Sequence, residues 1–175
     1  ALSGGGIKGF THIGILKALH DHHLKPMWIS GASAGAVVAA LYSIGYTPDE
    51  LESLAYSSYR GLIDPNYCGF VKGAMQFAMG REITVDGLIK GDRIENLIYD
   101  LTDGKRVNET NIPLAITAVD VNDGRTIIFV SSKNRMGERR GVEYRDDVLI
   151  SSAVRASISI PVIFRPKFID GTRLV

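Results

Sequence analysis

Strands alternating with helices predict an α/β sandwich around a mostly parallel sheet. Two stretches carry that expectation. A strand turns directly into a helix between Met27 and Ile44, and an alternating apolar run from Pro113 to Val121 follows two more helical segments. In chain order, Gly4-Gly5-Gly6 leads into a helix from Phe10 to His20, with Ile13, Leu16 and Leu19 at helical spacing. Met27–Ser30 is the first strand and Ala34–Ile44 the helix after it, ended by Gly45. Thr47-Pro48-Asp49-Glu50 combines a capping box with proline at the first helical position and opens a helix to about Tyr56. Asp92-Arg93-Ile94-Glu95 starts another, ending near Leu101. Pro113–Val121 and Thr126–Val130 are paired strands joined at Asn122-Asp123-Gly124. Lys133–Arg145 reads as a charged loop, Asp147–Ser157 as a helix, and Lys167–Val175 as a hairpin turning at Asp170-Gly171.

Residues 60–91 break this regularity with repeated glycines and are expected to be an insertion or cover. Phe70, Met75, Phe77 and Met79 give that stretch apolar surface, which either packs on the core or meets acyl chains. The 175 residues fit one domain, and both ends read as cut inside an element, as in a piece of a longer protein. Lys and Arg total 20 against 19 Asp and Glu, so no basic field points to nucleic acid. The single cysteine, Cys68, excludes an internal disulfide and favours a reducing, cytoplasmic location.

Two glycine-rich motifs carry the chemistry. Gly31-Ala32-Ser33-Ala34-Gly35 is a Gly-x-Ser-x-Gly between a strand and a helix. Small residues two before and two after the serine let strand and helix pack closely, and the turn projects the hydroxyl at a helix N-terminus. Ser33 is therefore the candidate nucleophile. Gly4-Gly5-Gly6-Ile7-Lys8-Gly9 has the spacing of a dinucleotide loop, but the next strand ends at Ser30 without the acidic residue that reading requires. The other reading is an anion cradle beside Ser33, with amides of Gly4, Gly5, Gly6 and Ala34 holding an oxyanion. The histidines His12, His20, His22 and His23 all precede the serine. A Ser-acid-His order is thus absent, and an aspartate remains as base. Asp170 is one candidate, although Asp-Gly is favoured in a two-residue hairpin for backbone reasons alone. Asp120, beside a turn, is a more remote one.

These motifs, with Thr11 to Leu19, Ala115 to Asp120 and Ala156 to Pro161, resemble the patatin-like phospholipases over nearly the whole chain outside 60–91. Ala32 and Lys8 stand where threonine and arginine are common in that family. The resemblance implies a three-layer α/β/α fold and a Ser–Asp dyad hydrolysing acyl esters of lipids, with no metal or other cofactor. It implies a lipid or phospholipid substrate and transient contact with a membrane surface. It also implies a base in an Asp-Gly-Gly or Asp-Gly-Ala motif, which is absent here. The expected place is immediately after Val175, with Asp170 as the alternative. An acyltransferase on the same site and a non-catalytic lipid-binding module are the competing functions.

Overall fold

A computed structural model describes residues 1–58 and 88–175. Most of the expected insertion, with Cys68 and the apolar residues from Phe70 to Met79, lies outside the described residues. The described helices are α1 (Thr11–Asp21), α2 (Ala34–Ser43), α3 (Pro48–Ser58), α4 (Asp92–Leu101) and α5 (Ile150–Ser157). The strands are β1 (Ile29–Gly31), β2 (Leu114–Val119), β3 (Thr126–Val130), β4 (Val142–Arg145), β5 (Lys167–Ile169) and β6 (Thr172–Leu174). They form a four-stranded sheet in the order β1-β2-β3-β4 and a β5–β6 hairpin. In the main sheet β1–β2 and β3–β4 are parallel and β2–β3 antiparallel.

Register explains the core. Ile29 lies opposite Leu114, Ile116 opposite Phe129, and Ala118 opposite Ile127, so one face of the sheet is a continuous buried apolar layer. Ala36, Val38, Ala39 and Ala40 of α2 and Ile150, Ala153 and Val154 of α5 join the same core. The small residues of α2 let its backbone lie close to the sheet. On the other face Ala115, Thr117 and Ile128 are half-buried.

The capping box at α3 forms as its residues dictate. Thr47 N–H donates to Glu50 Oε2 at 2.8 Å, and Glu50 N–H donates to Thr47 Oγ1 at 3.3 Å. Those donors, the Thr47 backbone N–H first, hold the Glu50 carboxyl below its ordinary range.

Three sequence expectations need correction. The first strand is only Ile29–Gly31, because Met27 and Trp28 are exposed. Lys133–Arg145 is not all loop: β4 occupies its last four residues, its charges paired at the sheet edge. The helix expected from Asp147 begins at Ile150.

Arg155 is the main polar feature of the core, at 2% exposure. Its Nη1 donates to Ser159 Oγ at 2.5 Å, and its Nη2 to Arg165 O at 2.7 Å and to Lys90 O. The guanidinium also lies 5.6 Å from the centre of the Phe164 ring. It thereby joins α5 to two chain segments that lie side by side, Ile89 N–H donating to Ile163 O and Arg165 N–H to Ile89 O. Arg155→Ala is expected to destabilise the fold by more than about 2 kcal/mol, since it strands buried carbonyls and empties their space. Denaturant unfolding checks this, and Arg155→Lys should recover only part of the loss because one ammonium cannot span the three acceptors.

Candidate active site

At Ser33 the backbone adopts φ 52, ψ −122, a conformation that side-chain-bearing residues rarely take. Close packing on both sides imposes it. A Cβ on Gly31 would overlap the Gly35 carbonyl, and one on Gly35 would overlap the Leu2 carbonyl. Leu2 lies parallel to β1, its N–H donating to Ser30 O at 2.7 Å and its O accepting Ala32 N–H at 3.0 Å. The chain before the glycine loop is thus fastened alongside the serine turn.

That fastening delivers the loop. A Cβ on Gly4 would stand 3.2 Å from Ser33 Cβ and 3.8 Å from Ser33 Oγ. Gly6–Phe10 then forms a 3-10 turn, with Gly6 at φ 56. That turn seats against the start of α2 so tightly that a Cβ on Gly9 would lie 2.5 Å from Ala34 Cβ. Among the described residues, no acceptor takes the N–H groups of Gly4, Gly5, Gly6 or Ala34. His12 serves the same region structurally: its Nε2–H donates to Ser3 O at 2.8 Å.

Ser33 opens into a cavity of about 580 Å³ whose other walls are almost wholly apolar. Val37, Val38 and Leu41 continue down α2 from the serine. Leu51, Leu54, Ile98 and Leu101 face them from α3 and α4, while Ile7, Phe10, Ile160 and Phe164 stand nearer the loop segments. An apolar surround of this kind strengthens any hydrogen bond made to a charge developing at its end.

The candidate bases lie elsewhere. Asp170 and Gly171, at φ 49 and 76, form the two-residue turn between β5 and β6, and the Asp170 side chain is exposed. Asp120 is 4% exposed at the end of β2; its Oδ1 accepts Asn122 N–H at 2.9 Å and its Oδ2 lies 3.7 Å from Arg125 Nη2. Neither hydrogen-bonds Ser33. One contact that the local pattern did not indicate does reach the serine: Ser33 N–H donates to Ser157 Oγ at 2.9 Å.

A serine at a tight strand-to-helix turn, flanked by amides without an acceptor among the described residues and opening on an apolar cavity, is the arrangement found in α/β acyl hydrolases. The chain belongs to the patatin-like phospholipase family, whose model matches residues 1–175. An uncharacterized protein of Acanthamoeba polyphaga mimivirus is 31% identical over 98% of the chain, which spans 54% of that protein. A triacylglycerol lipase of Schizosaccharomyces pombe is 31% identical over 94% of the chain, which spans 33% of it. Among solved structures, the fold resembles ExoU, a type III effector of Pseudomonas aeruginosa (TM-score 0.54, 18% identity, 97% of this chain and 40% of that one). It also resembles VipD of Legionella pneumophila (TM-score 0.55, 16% identity, 98% and 44%). The chain therefore spans about half the length, or less, of these proteins.

The packing makes the glycines unequal. Gly31→Ala should lower stability by about 1–3 kcal/mol or more, because its methyl meets backbone that cannot move aside. Gly4→Ala brings its methyl to 3.2 Å from Ser33 Cβ, with Ala32 O and Ser33 Oγ at ordinary contact distance, and should lower the melting temperature less than Gly31→Ala. Thermal melts of the two variants compare them directly.

Proposed function

We propose that the chain is the catalytic core of a lipid acyl hydrolase, with Ser33 as the nucleophile. The observation that carries this reading is the strained serine turn at the end of the apolar cavity, with Gly4 against Ser33 Oγ. An acyl chain buried along Val37, Val38 and Leu41 brings its ester carbonyl to Ser33. The Oγ attacks the carbonyl carbon as its proton passes to a carboxylate base. The amides of Gly5, Gly6 and Ala34 stabilise the oxyanion, the alcohol leaves, and water hydrolyses the acyl-serine. Ile7, Phe10 and Ile160, exposed at 61%, 44% and 45%, line the cavity and rise from it to the surface. In this reading they meet the lipid aggregate from which substrate is drawn.

The base in this proposal is an aspartate following Val175, and the strand geometry supports that place. Val175 pairs with Val119 through hydrogen bonds of 2.7 and 2.9 Å. It does so on the edge of β2 opposite β3, the edge that holds β1 at Leu114–Ile116. A chain continuing antiparallel to β2 runs toward Gly31 and so toward Ser33. The distance is short: Val119 and Ile116 are three residues apart, about 10 Å along a strand.

Ser33→Ala should abolish hydrolysis of a chromogenic acyl ester and labelling by a fluorophosphonate, with the melting temperature within a few degrees of wild type. Turnover by the folded variant would refute the nucleophile. Labelled wild type that passes acyl groups to an added alcohol in preference to water would make it an acyltransferase, and no labelling would leave a lipid-binding module. For the base, the 175-residue chain should be slower than one continued past Val175 by roughly 10²–10⁴, the value of general-base assistance. Asp170→Asn in the longer chain should leave the rate unchanged. Equal rates from both chains, lost on Asp170→Asn, would make Asp170 the base.

A further inference from the structure

We infer that Ser157 is a positioning residue for Ser33, fixing the strained peptide from which the nucleophile projects; this rests on the reading of Ser33 as nucleophile. A residue at φ 52, ψ −122 carries roughly 1–3 kcal/mol of strain and persists only where its surroundings oppose relaxation. The easiest relaxation is rotation of the peptide plane between Ala32 and Ser33, which would swing the Ser33 N–H away and redirect Cβ and Oγ with it. The neighbouring peptides are already held. Ala32 N–H is bound by Leu2 O at 3.0 Å and Ala36 N–H by Ser33 O at 2.9 Å, and the Ala32–Ser33 peptide itself is held at its carbonyl end, where Ala32 O accepts Gly35 N–H at 2.9 Å. The remaining group is Ser33 N–H, and its acceptor is Ser157 Oγ at 2.9 Å.

Ser157 is suited to resist that rotation because it does not move with the turn. It ends α5, and its helix neighbours Ala153, Val154 and Ala156 are fully buried while Arg155 is clamped to two other segments. The hydroxyl contacts the nucleophile's backbone and not the reacting atoms, so its effect is on the placement of Oγ. It should therefore influence the rate of attack more than the affinity for lipid. Only the hydroxyl oxygen is needed. Threonine retains it, whereas valine has threonine's shape without it.

The test compares Ser157→Ala, Ser157→Thr and Ser157→Val in the active protein, normalised to folded enzyme by circular dichroism. Loss of one such hydrogen bond should lower kcat roughly three- to tenfold in the alanine and valine variants. KM for a long-chain ester should stay unchanged, and the second-order rate of fluorophosphonate labelling should fall by the same factor as kcat. Ser157→Thr should recover most of both. Wild-type kcat per folded molecule in Ser157→Ala would overturn the inference. So would a threonine variant no better than valine, since the hydroxyl would then be irrelevant. A rate loss confined to KM would also overturn it, assigning Ser157 to substrate binding. Failure of the underlying reading shows differently, as activity that survives Ser33→Ala.

Discussion

Three backbone segments meet where a single Cβ would separate them: the Leu2 carbonyl, the Gly31 turn and the first residues of α2. The absence of side chains at Gly31 and Gly35 is what permits this contact. With it, Leu2 hydrogen-bonds Ser30 and Ala32, and the loop that follows is carried to within van der Waals reach of Ser33. The placement of the loop amides, the strained serine and the mouth of the cavity are consequences of that approach. The hydrophobic energy of α2 on the sheet holds it shut, since Ala36, Ala39 and Ala40 are fully buried. The fold supplies the strain that the site stores.

Helix α5 adds a second anchor from the far end of the chain. Arg155 and Ser157 are two residues apart, roughly 200° around a helix, so they point to different surroundings. Arg155 gathers Lys90, Arg165 and Phe164, and Phe164 is part of the cavity wall. Ser157 holds the serine turn. One short helix therefore contacts both the wall of the apolar cavity and the turn that carries the proposed nucleophile. Displacement of α5 would disturb both at once.

The helices were legible in the sequence because their signals are local: the apolar spacing of Ile13 and Leu16, the Thr47–Glu50 box, the glycine after α2. The serine turn was legible for the same reason, as strand, small residues and helix are contiguous. β4 was hidden by its charges. Glu143 and Arg145 read as loop, yet they pair with each other and Arg145 also reaches Thr172 Oγ1, which neutralises them at the sheet edge. Met27 and Trp28 misled in the opposite sense, apolar residues left exposed before a very short strand. The Ser33–Ser157 contact spans 124 positions. No periodicity in one sequence reports such a pairing, and a serine at a helix end has ample local reasons to be there.

In the proposed mechanism the base has to satisfy two requirements that conflict. The cavity must stay apolar, because an apolar surround would strengthen the hold of the proposed amides on an oxyanion. A carboxylate inside it would be desolvated and would favour its protonated form, which cannot accept the serine proton. The base of the proposed mechanism therefore belongs outside the cavity, where water can solvate a carboxylate. Asp170 satisfies the solvation requirement but is committed to a turn in which both central residues have positive φ, the reason Asp-Gly is found there. Val175, which follows β6, lies against β2, three residues along from the pairing of Ile116 with Gly31. The proposal thus leaves Asp170 to its turn and takes as base an aspartate on the strand beyond Val175, a strand that the pairing of Val175 with Val119 aims toward Ser33.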